Sequence, residues 1–188
     1  MSPLSKPVSG FQTFPESAAP PARACRYTMV VLANDGADAV QAAGGLLFDR
    51  AGAGWIVDVR TALPADDTAF RILGVPVGTF ADAAEAREEW PDALVVSGKL
   101  HRQDAAVRDL FHQAANNIGT EVAMWGGRWP RDLGQGAVRV EHRLSHAAVA
   151  FKSHAMAAAG LPPDAGATEE FNSGTTGFAL AGARVASP

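Results

Sequence analysis

Four short apolar runs punctuate the chain, and each ends in a polar or glycine-bearing loop. They are Tyr27-Thr28-Met29-Val30-Val31-Leu32-Ala33, Trp55-Ile56-Val57-Asp58-Val59, Ala93-Leu94-Val95-Val96 and Val122-Ala123-Met124-Trp125. Nearly unbroken runs of this length predict strands covered on both faces. Helical spacing separates them. Val40, Ala43, Gly44 and Leu47 follow the first run, with Asn34 or Asp35 placed to cap a helix, Arg50 in its last turn, and Gly52 and Gly54 to stop it. Val107, Leu110, Phe111, Ala114 and Ile118 follow the third run as a core-facing stripe.

Three stretches read less sharply. Residues 70–73 suit a helical turn and residues 75–79 an extended piece, with Gly74, Pro76 and Gly78 blurring both. Thr79 and Asp82 resemble a capping box that opens an Ala- and Glu-rich helix ending at Trp90-Pro91. Val138-Arg139-Val140 is either a short strand or the start of a final helix. That helix spans about 141–159, with Leu144, Ala147, Ala148, Phe151 and Ala155 on one side.

Strands alternating with helices predict an α/β fold: a three-layer, flavodoxin-like (Rossmann-like) doubly wound parallel sheet of four or five strands. It occupies residues 25–160, after a Pro/Ser/Ala-rich disordered leader, 1–24, and before a flexible Gly/Ala/Ser/Thr-rich tail, 161–188.

Composition narrows the functional classes. With 47% hydrophobic and 19% charged residues among 188, the chain has enough apolar material for a proper core. A net charge of −4 argues against a broad basic face for nucleic acid. The single cysteine, Cys25, excludes a disulfide framework and a thiolate-rich zinc site. No apolar run approaches the ~20 residues of a membrane span, and no signal-peptide core is visible, so a cytoplasmic location is expected.

In an open parallel sheet, ligands sit beyond the carboxyl ends of the strands. The loops there carry Asn34, Asp35 and Gly36; Asp66 and Asp67; Ser97, Gly98, Lys99, His101 and Arg102; and Gly126, Gly127, Arg128 and Arg131. Ordinary solvated loop charge accounts for much of this. The sharper expectation is a pocket for a small anion. Its ligand-binding set is Asn34, Asp35, Gly36, Ser97, Gly98, Lys99, His101, Gly126, Gly127 and Arg128, with glycines admitting backbone N–H groups and Lys99 and Arg128 adding charge.

Several named chemistries fail on spacing. Ser97-Gly98-Lys99-Leu100 lacks the upstream glycine and the following Ser/Thr of a phosphate-cradling Walker loop. No Gly-x-Gly-x-x-Gly follows the first strand, and Val95 and Lys99 occupy the glycine places of a serine elbow around Ser97. A Ser97/His101 pair would depend on the loop's shape. His142 and His146, four apart, would share one face of the last helix, outward and without a third ligand for zinc. With Val149 and Met156 they outline a homodimer contact.

Two fold-level resemblances add detail. The run Pro91-Asp92-Ala93-Leu94-Val95-Val96 resembles the third strand of a response-regulator receiver domain. This places Ser97 where that family has its phosphoacceptor aspartate and Asn34 and Asp35 near its metal-binding acidic pair, so it implies no aspartyl phosphorylation. Ser97 after one strand and Gly126-Gly127 after the next are similar to the cobalamin-binding domain. The family's Asp-x-His-x-x-Gly motif is missing from residues 35–40, so base-on cobalamin is not implied.

The sequence therefore favours a non-catalytic regulatory or binding module for a small anionic ligand or a partner protein. A small transferase or hydrolase acting on a phosphorylated metabolite stands beside it, with Ser97, Lys99, His101, Asp35 and Arg128 in its site. An interaction scaffold is a third reading. No cofactor is assigned.

Overall fold

The computed structural model describes residues 26–80, 90–134, 137–174 and 184–185. Five strands run parallel: β1 (Thr28–Ala33), β2 (Ile56–Thr61), β3 (Val77–Thr79), β4 (Ala93–Ser97) and β5 (Glu121–Trp125). Three more, β6 (Val138–Arg143), β7 (Thr168–Ser173) and the two-residue β8 (Arg184–Val185), extend the sheet antiparallel beyond β5. The order is β3-β2-β1-β4-β5-β7-β6-β8.

Side-chain parity decides what each strand contributes. Met29, Val31 and Ala33 of β1, with Ala93 and Val95 of β4, face one side of the sheet. There they meet Leu46 and Leu47 of α1 (Gly36–Gly52), Phe70 and Leu73 of α2 (Thr68–Leu73), and Ala155 and Met156 of α5 (His146–Ala158). Val30, Leu32, Leu94, Val96 and Met124 face the other side. They pack on Leu100 of α3 (Gly98–Gln103) and on Val107, Phe111 and Ala114 of α4 (Ala105–Ala115). Both faces of the central strands are dry, which explains their unbroken apolar runs.

Charge also enters the α1 side. The Lys152 ammonium on α5 lies 2.7 Å from the Glu169 carboxylate on β7, and both side chains are buried. Glu169 also accepts the backbone N–H groups of Gly45 (2.7 Å) and Leu46 (2.8 Å) in the middle of α1. Burial pushes the Glu169 carboxyl up, against the opposing pull of Lys152 and the two N–H groups. Nearby, Asp49 of α1 accepts from Ser145 Oγ (2.6 Å) and sits 3.0 Å from His142 Nε2. Gly45 lets this arrangement close, because a Cβ there would collide with the Leu144 side chain.

Several expectations are corrected. The sheet has eight strands among the described residues, in place of four or five, because Val77–Thr79 supplies an edge strand and three strands, β6, β7 and β8, lie beyond residue 137. Its parallel part runs 3-2-1-4-5, the Rossmann order, and not the 2-1-3-4-5 flavodoxin order. Residues 168–173, assigned to a tail from their composition, form β7, whose Phe171 is buried. Val138-Arg139-Val140 belongs to a strand, so the last helix starts only at His146. The helix before β5 ends at Ala115, leaving Ile118 fully exposed. The four residues named for a dimer contact share no outward face: His142 is buried in β6, while Met156 is buried and Val149 packs on the core. The leader, Cys25 and the helix expected over residues 81–89 lie outside the described residues.

Candidate functional site

The chain leaves β1 toward α1 on one face and leaves the adjacent β4 toward α3 and α4 on the other. This reversal opens a crevice at the carboxyl ends of β1, β4 and β5, the usual ligand position in such sheets.

On the α1 side the polar groups satisfy one another. Asp35 caps α1, its Oδ1 accepting the Asp38 N–H at 2.8 Å, while Oδ2 accepts from Asn34 Nδ2 at 2.8 Å and faces Lys99 Nζ at 3.9 Å. The Asp38 N–H above all, aided by Asn34 and Lys99 against some burial, holds the Asp35 carboxyl below its ordinary value. Ser97 and Trp125 are register partners at the ends of β4 and β5 and point to the same side. Both reach Asp38: its Oδ2 accepts from Ser97 Oγ at 2.6 Å and its Oδ1 from Trp125 Nε1 at 3.1 Å. The Asn34 N–H adds a longer contact of 3.4 Å to Oδ2. Asp38 thus clamps three strand ends to the first turn of α1. Asp66 is likewise occupied, accepting from the Thr68 N–H and hydroxyl at 2.9 and 2.7 Å.

On the α3 side the polar groups are left open. His101 packs edge-on against Phe111, ring centroids 5.3 Å apart, and lies across from His112. Only 9% of His101 is exposed, and its Nε2 is buried with no hydrogen-bond partner. Burial first, then His112 and Arg108, lower its pKa, only partly opposed by Asp132, so the imidazole is neutral at pH 7. With Gly98, Arg102, Arg108 and Arg128 it lines an open cavity of about 510 Å³. Arg108 bridges the two short helices, donating to the carbonyls of Arg102 (3.0 Å) and His101 (3.4 Å).

The cavity exists because two loops touch. A Cβ on Gly98 would lie 2.6 Å from Gly127 Cα, so the β4 and β5 loops meet backbone to backbone. Arg102 Nη1 reaches the Gly126 carbonyl at 3.5 Å, and Asn172 of β7 holds the Gly127 carbonyl at 3.0 Å. Arg128 is thereby carried to the same rim as Arg102.

The expected site residues therefore divide in two. Gly98, His101 and Arg128 come together at the cavity, with Gly126 and Gly127 beside it. Asn34, Asp35, Ser97 and Lys99 belong to the α1-side network, and Gly36 packs against Ala65 and Phe70. Ser97 and His101 form no pair, because Ser97 bonds to Asp38 on the α1 side while His101 packs into the opposite core. His142 and His146 share no helical face, since the first is buried in a strand. Asp38, Trp125 and Arg108 were missed. The first two were readable from strand parity and from the place of Asp38 three residues after a helix cap. Arg108 carried no such signal. Among the described residues, no group of three or more His, Cys, Asp or Glu side chains gathers as a metal set. No helix there is long and apolar enough to cross a membrane.

No family model matches the chain, and no curated protein sequence does. Solved structures do share its fold. One is a deacetylase of the teicoplanin biosynthetic pathway, crystallised as a triple mutant, with a TM-score of 0.51 at 15% identity over 78% of this chain and 97% of that one. Another is the A40926 pseudoaglycone deacetylase Dbv21, with a TM-score of 0.54 at 16% identity over 78% of this chain and 96% of that one. These proteins are enzymes, so the expectation of a non-catalytic regulatory or binding module is corrected at the level of the fold, which is one that enzymes use. That expectation took missing nucleophile and phosphate motifs for missing catalysis, whereas function follows from the residues at a site and not from such motifs alone.

Proposed function

We propose that the chain is a hydrolase of a small acylated molecule, with His101 moving the proton in the cavity beside Arg102, Arg108 and Arg128. The observation that carries this reading is a largely buried imidazole lining an open cavity among three guanidinium groups, with burial lowering its pKa. Neutral imidazole is the form that takes a proton at pH 7. A water attacking the acyl carbon loses its proton to His101, and the leaving amine or alcohol collects that proton as the carbon–heteroatom bond breaks. The products are a carboxylic acid and the free amine or alcohol. Guanidinium groups at the rim stabilise the negative charge that develops on the acyl oxygen. The deacetylases that share the fold support acyl transfer to water as the reaction class, by analogy of fold alone.

The test is a panel of N-acetylated and O-acetylated small molecules assayed by product release. Wild-type protein should turn over at least one class, with a rate that falls on the acid side as His101 protonates. His101→Gln should lower kcat by roughly 10²–10⁴-fold, the usual contribution of a general base. Turnover that survives this substitution unchanged would remove His101 from the chemistry.

A further inference from the structure

We infer that the cavity formed by Gly98, His101, Arg102, Arg108 and Arg128 receives a dianionic substituent, a phosphate monoester, carried by the substrate. Calling its carrier a substrate rests on the hydrolase reading above; the binding does not.

The three arginines come from three separate elements: Arg102 from α3, Arg108 from α4 and Arg128 from the loop after β5. None of them makes an ion pair among the described residues; Arg102 and Arg108 donate to backbone carbonyls. Asp132, whose charge acts on His101, is held by His112 Nδ1 at 3.4 Å. Lys99 lies outside the set, facing Asp35. Three positive charges therefore converge on one open space, none of them ion-paired among the described residues. A planar carboxylate satisfies one guanidinium fork. A tetrahedral phosphate presents oxygens in several directions and suits a set that converges from three elements. His101, nine-tenths buried in the cavity wall, adds a polar side chain whose Nε2 has no hydrogen-bond partner. The volume, about 510 Å³, accommodates a small phosphorylated molecule and excludes a polymer's tracking groove.

The experiment is isothermal titration of the full chain with inorganic phosphate, with acetate as the monoanion control, in low-salt buffer. Phosphate should bind at least several-fold more tightly than acetate, and the affinity should fall with added chloride. Arg128→Gln should weaken phosphate binding by roughly 10-fold, the scale of one charge-assisted contact. Arg128 is exposed at the rim with no recorded partner, so this variant should fold; unchanged circular dichroism checks that it does. Arg102→Gln is the second variant and should act in the same direction. Absence of phosphate binding by the folded wild type overturns the inference. So does binding that both arginine variants leave unchanged, or acetate binding as tight as phosphate. Phosphate binding that depends on the arginines, in a protein that hydrolyses nothing, would instead sink the hydrolase reading and leave this inference standing.

Discussion

Replacing Lys152 by Met should destabilise the fold far more than a lysine-to-methionine change on a surface. Lys152 and Glu169 have side-chain exposures of 3% and 1%, so neither charge can turn to water when its partner goes. Methionine fills most of the lysine stem's volume beside Gly44, which keeps the loss electrostatic and not a matter of cavity. The stranded carboxylate keeps its two α1 N–H donors, which offset part of the cost. Breaking a buried pair from one side costs about 3–5 kcal/mol. At roughly 2–4 °C per kcal/mol for a chain of this size, Tm should fall by about 6–20 °C. The sign of the pH effect is fixed as well. Glu169 already has a raised carboxyl pKa, and losing Lys152 raises it further. A carboxyl whose folded-state pKa exceeds its unfolded one contributes stability below the unfolded value, and that stability is lost as pH rises through the folded one. The deficit of K152M should therefore shrink between pH 7.5 and pH 4.5. Urea denaturation of both proteins at the two pH values measures it. A deficit below about 1 kcal/mol at pH 7.5, or one that grows on acidification, would refute the electrostatic account.

Two further outcomes are expected. His101 and His142 both have pKa values depressed below 6.5, chiefly by burial, so the unfolded chain binds more protons than the folded one in that window. Stability should be at its plateau above pH 6.5 and decline as pH falls through the depressed values; His142→Gln should flatten that slope in a thermal-melt series. Asp38→Ala should free Ser97 Oγ and Trp125 Nε1 at once, costing about 1–3 kcal/mol for the unmade bonds, with a matching change in Trp fluorescence. An Asp38→Ala protein with wild-type emission and Tm would remove the clamp.

The strands and the first helix were legible because both faces of the parallel sheet are dry, so Met29 to Ala33 and Ala93 to Val96 carry no alternation to confuse. What escaped was everything that depends on pairing across distance. Lys152 carried no signal of burial because its counter-charge comes from Glu169, in a stretch whose composition resembles a tail. The buried face of α5 is accordingly Ala148, Lys152, Ala155 and Met156, leaving Phe151 half in water against Phe48. His142 was assigned to a helix because Val138 to Arg143 alternates only weakly, and a strand beside β7 needs β7 to be recognised first. The loops after β1, β4 and β5 begin where the apolar runs stop, yet their division between two faces of the sheet followed from parity at Ser97, which sends its hydroxyl toward Asp38 and leaves His101 to the opposite side.

The contact between Glu169 and α1 has a consequence for synthesis. Gly45 and Leu46 emerge early, but the carboxylate that binds their N–H groups lies 124 and 123 residues later. While the chain grows from its amino end, the middle of α1 and the stem of Lys152 have no Glu169 to meet. A ribosome-bound intermediate halted before residue 169 should therefore hold its central parallel strands while α1 and α5 remain loosely docked. Final locking of an early helix waits on one late side chain, a dependence that ties the docking of α1 and α5 to delivery of β7.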